Sequence, residues 1–479
     1  MSTTTTSAQT LSTKLPPYRV LPEPVLAFDA ERASARHIHP LRGLSEFGPY
    51  SRGSFAAFRD SVRVATIAPA DTQRQVFEFL RSLQGTHQPG ERAGYLPAFP
   101  GFGRVFGVEL HGAAAPAHVK LPSSILDGGG GPPALAAALC EALDRLRAVR
   151  DEFDVVAIHL PERWSAGFED LDSGFDLHDE LKSTAAVSGV PTQVLNDRAL
   201  QYRDRCSVGW RLGIALYAKA GGTPWRLVPA TADTAYVGLS YAIRGGTKDR
   251  FVTCCSQVFD ADGGGMEFVA YDVGDGVDFE NPFLTRADMR AVMARSVALY
   301  QARHAGSLPR RVVIHKTQPF REEELDGCFD AWSRVDEVEC VQVQRSSDWR
   351  AVRLLAPRRG CDARSEPDGW PVMRGTQLAL SGRSVLLFIS GNAPGASNKG
   401  NFYQGGKGIP RPITLIRYAG SGSLEALGED ALALSKMDWN NDALYDPMPV
   451  TIRYSQLLSR TIARATSLPS GVYPYRLFM

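Results

Sequence analysis

Two successive α/β units, the first built on a parallel sheet, are the fold class that the sequence predicts. Three observations carry it. Strand-like and helix-like runs alternate through the middle of the chain. After residue 235, three strand-like runs follow one another with no helix between them. A long helical run and a β-branched run, RVVIHKT (311–317), come next. A length of 479 residues exceeds one ordinary core, in keeping with two domains.

In the first unit, VVAIHL (155–160) is a buried-strand pattern. FDLHDELKSTAAVSG (175–189) reads as an amphipathic helix closed by a glycine, and TQVL (192–195) as the next strand. SVGWRLGIALYAKAGG (207–222) reads as a helix capped by Ser207 and ended by two glycines. PPALAAALCEALDRLRAV (132–149) is a further helix, with prolines at the start, where missing donors cost least. The alternation predicts a parallel, Rossmann-like sheet, with ligands beyond the carboxyl ends of its strands. In the second unit, AYVGLSYAIR, RFVTCCSQVF and MEFVAYDV form an antiparallel meander, with DADGGG (260–265) as a turn. A helix at 285–306 and the strand RVVIHKT follow, which is the order of an RNase H-like fold. Further strands are expected at 338–344, 349–355, 384–390 and 413–419, and a helix near 453–466. The loops are 84–94, 126–134 and 389–412, and residues 1–19 read as a disordered tail before domains at 20–230 and 231–479.

The composition, 44% hydrophobic and 22% charged, is that of a globular protein. The 53 basic and 52 acidic residues exclude a uniformly basic nucleic-acid binder but leave room for a local basic groove. No apolar run approaches the ~18 residues of a membrane span, and the polar N-terminus lacks a signal-peptide core. Seven scattered cysteines without metal spacing point to a reducing, cytoplasmic setting. There is no GxxxxGK[ST], HExxH or GxSxG, and GFGRVFG (101–107) has its glycines misplaced for a dinucleotide loop.

The informative pattern is HxxxK–x10–Q–x25–K: His178, Lys182, Gln193 and Lys219. His178 and Lys182 are four apart, so they project from one helical face. Ammonium and amide donors near glycines suit a phosphate. Singly, each residue has a plainer reading: a solvated helix face, a strand cap, a cation at a helix C-terminus.

Taken together, the pattern resembles the MID domain of Argonaute proteins. GIALYAKAGGTPWRL (213–227) is similar to that family's helix and glycine turn, and RGLSEFGPY (42–50) to the opening of prokaryotic MID regions. VGLSYA (237–242), VVIHKT (312–317), MRGT (373–376) and ALSKMDWNN (433–441) resemble segments of the PIWI domain. The resemblance covers roughly residues 20–479 and suggests a short prokaryotic form, with MID and PIWI but without N or PAZ domains.

The resemblance implies that His178, Lys182, Gln193 and Lys219 hold the 5′-phosphate of a guide strand, with His178 able to stack on the first base. It also implies that the Met479 carboxylate helps bind Mg2+ on that phosphate. Slicing needs clustered carboxylates for two metal ions. The matching positions here are Ser240, Thr317 (or Lys316 in a register slipped by one) and Gln456, so a PIWI domain that binds without cutting is expected. Displaced carboxylates at Asp260, Asp262 or Asp272 are the competing possibility. Arg374, Lys399 and Lys407 are candidate backbone contacts. Silent short forms pair with an APAZ-domain effector, a SIR2 or TIR NADase or a nuclease, so the expected partners are guide RNA, target single-stranded DNA and such a protein. Two other classes stay open: an active guided nuclease, and an α/β enzyme binding a phosphorylated small molecule.

Overall fold

The computed structural model describes residues 17–479 apart from 128, 171, 230–232, 245–250, 273–282, 346, 356–365, 405–407, 465–468 and 470. The first unit is a five-stranded sheet, parallel throughout. Thr192–Asn196 forms one edge beside Val155–Leu160. Next comes Ser61–Pro69, whose two halves pair with Glu109–Gly112 and His118–Leu121. In Val155–Leu160 every residue is buried, because alternate side chains feed two different cores. Val156 and Ile158 meet the helices Gly131–Arg147 and Leu177–Ser188, while Val155 and Ala157 join the core that includes Phe79, Trp210 and Tyr217. The sheet is thus covered on both faces, as the alternation predicts. Its centre, Ser61–Pro69, lies outside the runs on which that expectation rests.

Among the described residues the second unit is a ten-stranded sheet. Thr234–Arg244, Phe251–Phe259 and Gly265–Asp272 form the antiparallel meander. Arg311–Lys316 returns parallel to Thr234–Arg244, and Glu337–Gln344 lies parallel beside it. Helices Arg286–Arg303 and Glu322–Ala331 cover one face. Helix Val450–Arg464 packs on the other, where a Cβ on Gly238 would lie 2.0 Å from the Thr451 carbonyl oxygen. Only glycine permits that approach. The RNase H-like order therefore stands.

Three expectations change. Tyr18–Val20 is not tail: it pairs antiparallel with Thr376–Ala379 and forms an edge of the second sheet. Residues 349–355 form no strand. Their pairing is an isolated bridge between Leu354 and Pro367. The helix Arg205–Lys219 is capped by Asp204, whose carboxylate accepts from the Ser207 N–H at 3.2 Å, so Ser207 lies inside it.

Candidate functional site

Helix Leu177–Ser188 is set by Asp176, whose carboxylate caps the Asp179 N–H at 3.0 Å, and it ends on Gly189 in the left-handed region, φ 67°. This phasing buries Lys182 and leaves the His178 side chain 47% exposed, one turn earlier. Lys182 Nζ donates to the terminal oxygen of Met479 at 2.5 Å and to Thr192 O at 3.4 Å. Lys219, the last residue of its helix, donates through Nζ to Gln193 Oε1 at 2.6 Å, and Gln193 Nε2 donates to Val194 O at 2.9 Å. The structure thus gathers Lys182, Gln193, Lys219 and Met479. His178 stands apart from these bonds, 3.8 Å from Asp179 Oδ1.

The site does not lie beyond the carboxyl ends of the strands, as the Rossmann-like pattern predicts. Gln193 is the second residue of the edge strand, so the pocket flanks the strand's amino end. The edge position leaves room there for a segment from the second unit. Strand Gly471–Pro474 pairs with Gly265–Asp272, Phe478 meets Phe268 edge-on at 5.4 Å, and buried Met479 reaches Lys182. The same segment brings Arg476, which the motif reading missed. Its Nη1 would lie 3.0 Å from a Cβ on Gly221, a residue at φ +105° in the turn after Lys219. The sequence signal was a lone arginine in an otherwise apolar end, YPYRLFM.

Burial dominates the electrostatics. It lowers the pKa of Lys182 to about 8. Lys219 is pushed well below the ordinary lysine value, first by burial and then by the charge of Lys182. The nearby buried carboxylate, Asp179, is engaged elsewhere: by Arg464 at 3.3 Å, Arg460 at 3.4 Å and Thr461 at 3.3 Å. Thr192 is buried as well, and its hydroxyl has no partner among the described residues. Two ammonium groups therefore face two neutral oxygens and one chain terminus. A multivalent anion with several acceptor oxygens would satisfy this set.

Mg2+ fits these groups poorly. The Met479 oxygen already accepts from Lys182 and the Gln193 oxygen from Lys219, and a divalent cation would add charge between two ammoniums. Asp176, His178 and Asp179 do lie close enough together to hold a cation, yet both carboxylates are engaged by Arg464.

On the second sheet, Ser240 Oγ donates to the Ser455 carbonyl of helix Val450–Arg464. His315 Nδ1 meets Thr451 Oγ1 of the same helix at 2.9 Å, so odd-numbered positions at the end of this strand face that helix. Thr317 follows on, its carbonyl accepting from Gln342 Nε2 at 3.0 Å. Lys316 points to the opposite face, where its buried ammonium pairs with Glu324, which removes the slipped register. Gln456 lines a cleft of about 380 Å³ with Asp438, Asp446, Arg453 and Arg460. The alternative carboxylates are committed: Asp260 lies 3.0 Å from His304 Nε2, and Asp262 pairs with Arg226 while capping the Gly264 N–H. Asp272 ends its strand exposed.

The backbone-contact expectations fare differently. Arg374 is corrected: its side chain is buried, with Nε 2.9 Å from Glu23 Oε2, Nη2 on Ser435 Oγ at 2.9 Å and its plane 4.2 Å over the Tyr445 ring. It holds the fold and offers no face to a ligand. Lys399 is exposed, and Lys407 lies outside the described residues.

A parallel α/β unit joined to an RNase H-like unit, with a cationic pocket where they meet, is the MID–PIWI arrangement. No protein-family model matches the chain. It is 26% identical over 483 residues to the Argonaute protein of Cereibacter sphaeroides (strain ATCC 17025 / ATH 2.4.3), covering 94% of this chain and 56% of that protein. In structure it is similar to Clostridium butyricum Argonaute bound to a guide DNA and a 19-mer target DNA, with TM-score 0.67 and 14% identity over 96% of this chain and 54% of that one. It is also similar to Aquifex aeolicus Argonaute, with TM-score 0.58 and 16% identity over 95% and 55%. The chain spans about half the length of these relatives. The chain is thus similar to these Argonaute proteins in sequence and in fold.

Proposed function

We propose that the protein binds the 5′-phosphorylated end of a guide RNA, pairs it with complementary single-stranded DNA from an invader, and does not cut that DNA. The observation that carries this is the pair of buried lysines, Lys182 and Lys219: Lys182 meets the Met479 terminal carboxylate and the neutral Thr192 carbonyl, and Lys219 meets the neutral Gln193 amide oxygen. Burying two like charges is costly unless an anion arrives to use them. His178 sits exposed one turn away, free to stack on a first base. Base pairing then reads sequence while the protein holds one end and the backbone.

Absence of cleavage follows from Ser240, Thr317 and Gln456. These neutral side chains cannot supply the anionic oxygens of a two-metal site. Asp438 and Asp446, near Gln456, are both tied to Arg453. At the guide end the lysines do the work that the resemblance gives to Mg2+, so 5′-phosphate binding survives chelation. The output then comes from a partner, which the resemblance makes an APAZ-domain protein with a SIR2 or TIR NADase or a nuclease, acting in the cytoplasm in defence. Among the described residues no helix is long and apolar enough to cross a membrane.

The test is to purify the chain from cells and sequence the strands it carries, recording their 5′ chemistry. Short, 5′-phosphorylated RNAs are expected. In vitro, Lys182→Ala with Lys219→Ala should abolish preference for 5′-phosphate over 5′-hydroxyl guides, since each charged hydrogen bond contributes roughly 1.5–3 kcal/mol. A preference that persists in the double variant, or strands of random length and end chemistry, returns the pocket to a phosphorylated small molecule. Mg2+-dependent cutting of a paired target would restore the active nuclease.

A further inference from the structure

The segment from Asp438 to Asp446 carries three aspartates four residues apart, Asp438, Asp442 and Asp446, in a stretch that is not helical. All three side chains are buried, at 3%, 3% and 7% exposure. Each is held by arginine from a cleft wall. Asp442 receives Arg92 Nη2 at 2.7 Å, Arg211 Nη2 at 3.4 Å and Ser207 Oγ at 3.1 Å, all from the first unit. Asp438 and Asp446 share Arg453, at 3.1 Å from Nε and 2.9 Å from Nη1. The carboxylates are buried, whereas the side chains of Arg92, Arg211 and Arg453 remain 39%, 58% and 46% exposed.

Two clefts flank the segment. One, of about 530 Å³, is lined by Arg92, Arg198 and Arg211 and reaches Gln193 of the lysine pocket. The other, of about 380 Å³, is lined by Arg345, Arg453 and Arg460. A guanidinium has five N–H donors in a fixed fork. A buried carboxylate that takes one or two fixes the plane and leaves the rest for a second anion, and a phosphodiester fits that fork.

We infer that Asp438, Asp442 and Asp446 are positioning residues, which hold Arg92, Arg211 and Arg453 toward successive backbone phosphates of one strand on either side of the segment. This rests on the reading that the strand's 5′ end lies at Lys182 and Lys219. It adds the carboxylates that aim the arginines and the path from Gln193 toward Gln456.

The experiment uses the full chain and a labelled 5′-phosphorylated oligonucleotide. A second oligonucleotide has neutral methylphosphonates at the linkages following the first nucleotide. Asp442→Asn should weaken binding of the charged strand at least tenfold and flatten its salt dependence by one to two phosphates. The neutral linkages should cost the wild type at least tenfold and Asp442→Asn less than threefold. Equal costs in the two proteins, or wild-type affinity and slope in Asp442→Asn, overturn the inference. Arg211, exposed on the wall, supplies a variant that does not depend on a buried group. Arg211→Ala should lower the salt slope by about one phosphate, and an unchanged slope overturns the assignment. The 5′-phosphate preference is read in parallel. If the wild type lacks it, the lysine pocket fails as a 5′-end site, while the methylphosphonate cost still decides whether Asp442 aims the arginines.

Discussion

Raising the pH should erase the 5′-phosphate preference in a range where exposed lysines are still fully charged. In the free protein Lys182 titrates at about 8, against 10.5 for an exposed lysine, because burial disfavours its charge. A bound phosphate dianion favours the ammonium and raises that pKa. Above pH 8, binding must therefore take up a proton, and affinity falls by up to about tenfold per pH unit for one lysine. Between pH 7 and pH 9.5 this amounts to roughly thirtyfold from Lys182 alone. Lys219, lowered by burial and by Lys182, acts in the same direction. Below about pH 6 the phosphate itself gains a proton and the preference weakens again. The assay is fluorescence anisotropy with 5′-phosphate and 5′-hydroxyl forms of one oligonucleotide at fixed ionic strength. Their ratio cancels the contacts made along the backbone. A ratio that stays flat to pH 10 would refute the claim that these two buried lysines hold the phosphate.

Three further outcomes follow from the packing. Because burial lowers the Lys182 pKa, the stability of the wild type should rise with pH between about 8 and 10.5, where the unfolded chain binds more protons; thermal melts across pH read this. Gly238→Ala should lower the melting temperature, at a cost of about 1–3 kcal/mol or more, because the new methyl meets the Thr451 carbonyl. Arg374→Ala should destabilise by about 1–3 kcal/mol by leaving part-buried Glu23 to Lys436 and the Ser435 hydroxyl without its guanidinium donor. Oligonucleotide affinity per folded molecule should stay unchanged in that variant.

Local chemistry explains what the sequence disclosed. The four-residue spacing of His178 and Lys182 and the terminal glycine at 189 are set within one helix, so the helix and its facing residues were legible. The strand VVAIHL and the meander announce themselves through apolar runs, because burial on both faces leaves no polar period to confuse. Longer-range pairings were not legible. Nothing in YRV says that Tyr18–Val20 will find Thr376–Ala379, and nothing local to Arg374 says that Glu23 will bury it. Asp442 meets arginines far away in sequence, and Met479 meets Lys182 across both units. WRAVRLL has strand-like composition but lacks a continuous neighbour to pair with, and composition cannot supply one.

The first described strand has a mechanical consequence. Tyr18–Val20 is sewn to Thr376–Ala379, the Leu21 N–H donates to Gly375 O at 2.9 Å, and Glu23 is clasped by Arg374 and Lys436. From Tyr18 onward the described residues begin on the second body, leave it to build the first, and re-enter it at Thr234. Two crossings join the bodies where a single tether would leave a hinge. Severing the chain between residues 230 and 231 would strip an edge from the larger sheet and expose Thr376–Ala379 to any strand in reach. The halves are best treated as one clasped object, in which a strain applied at one body is felt at the other.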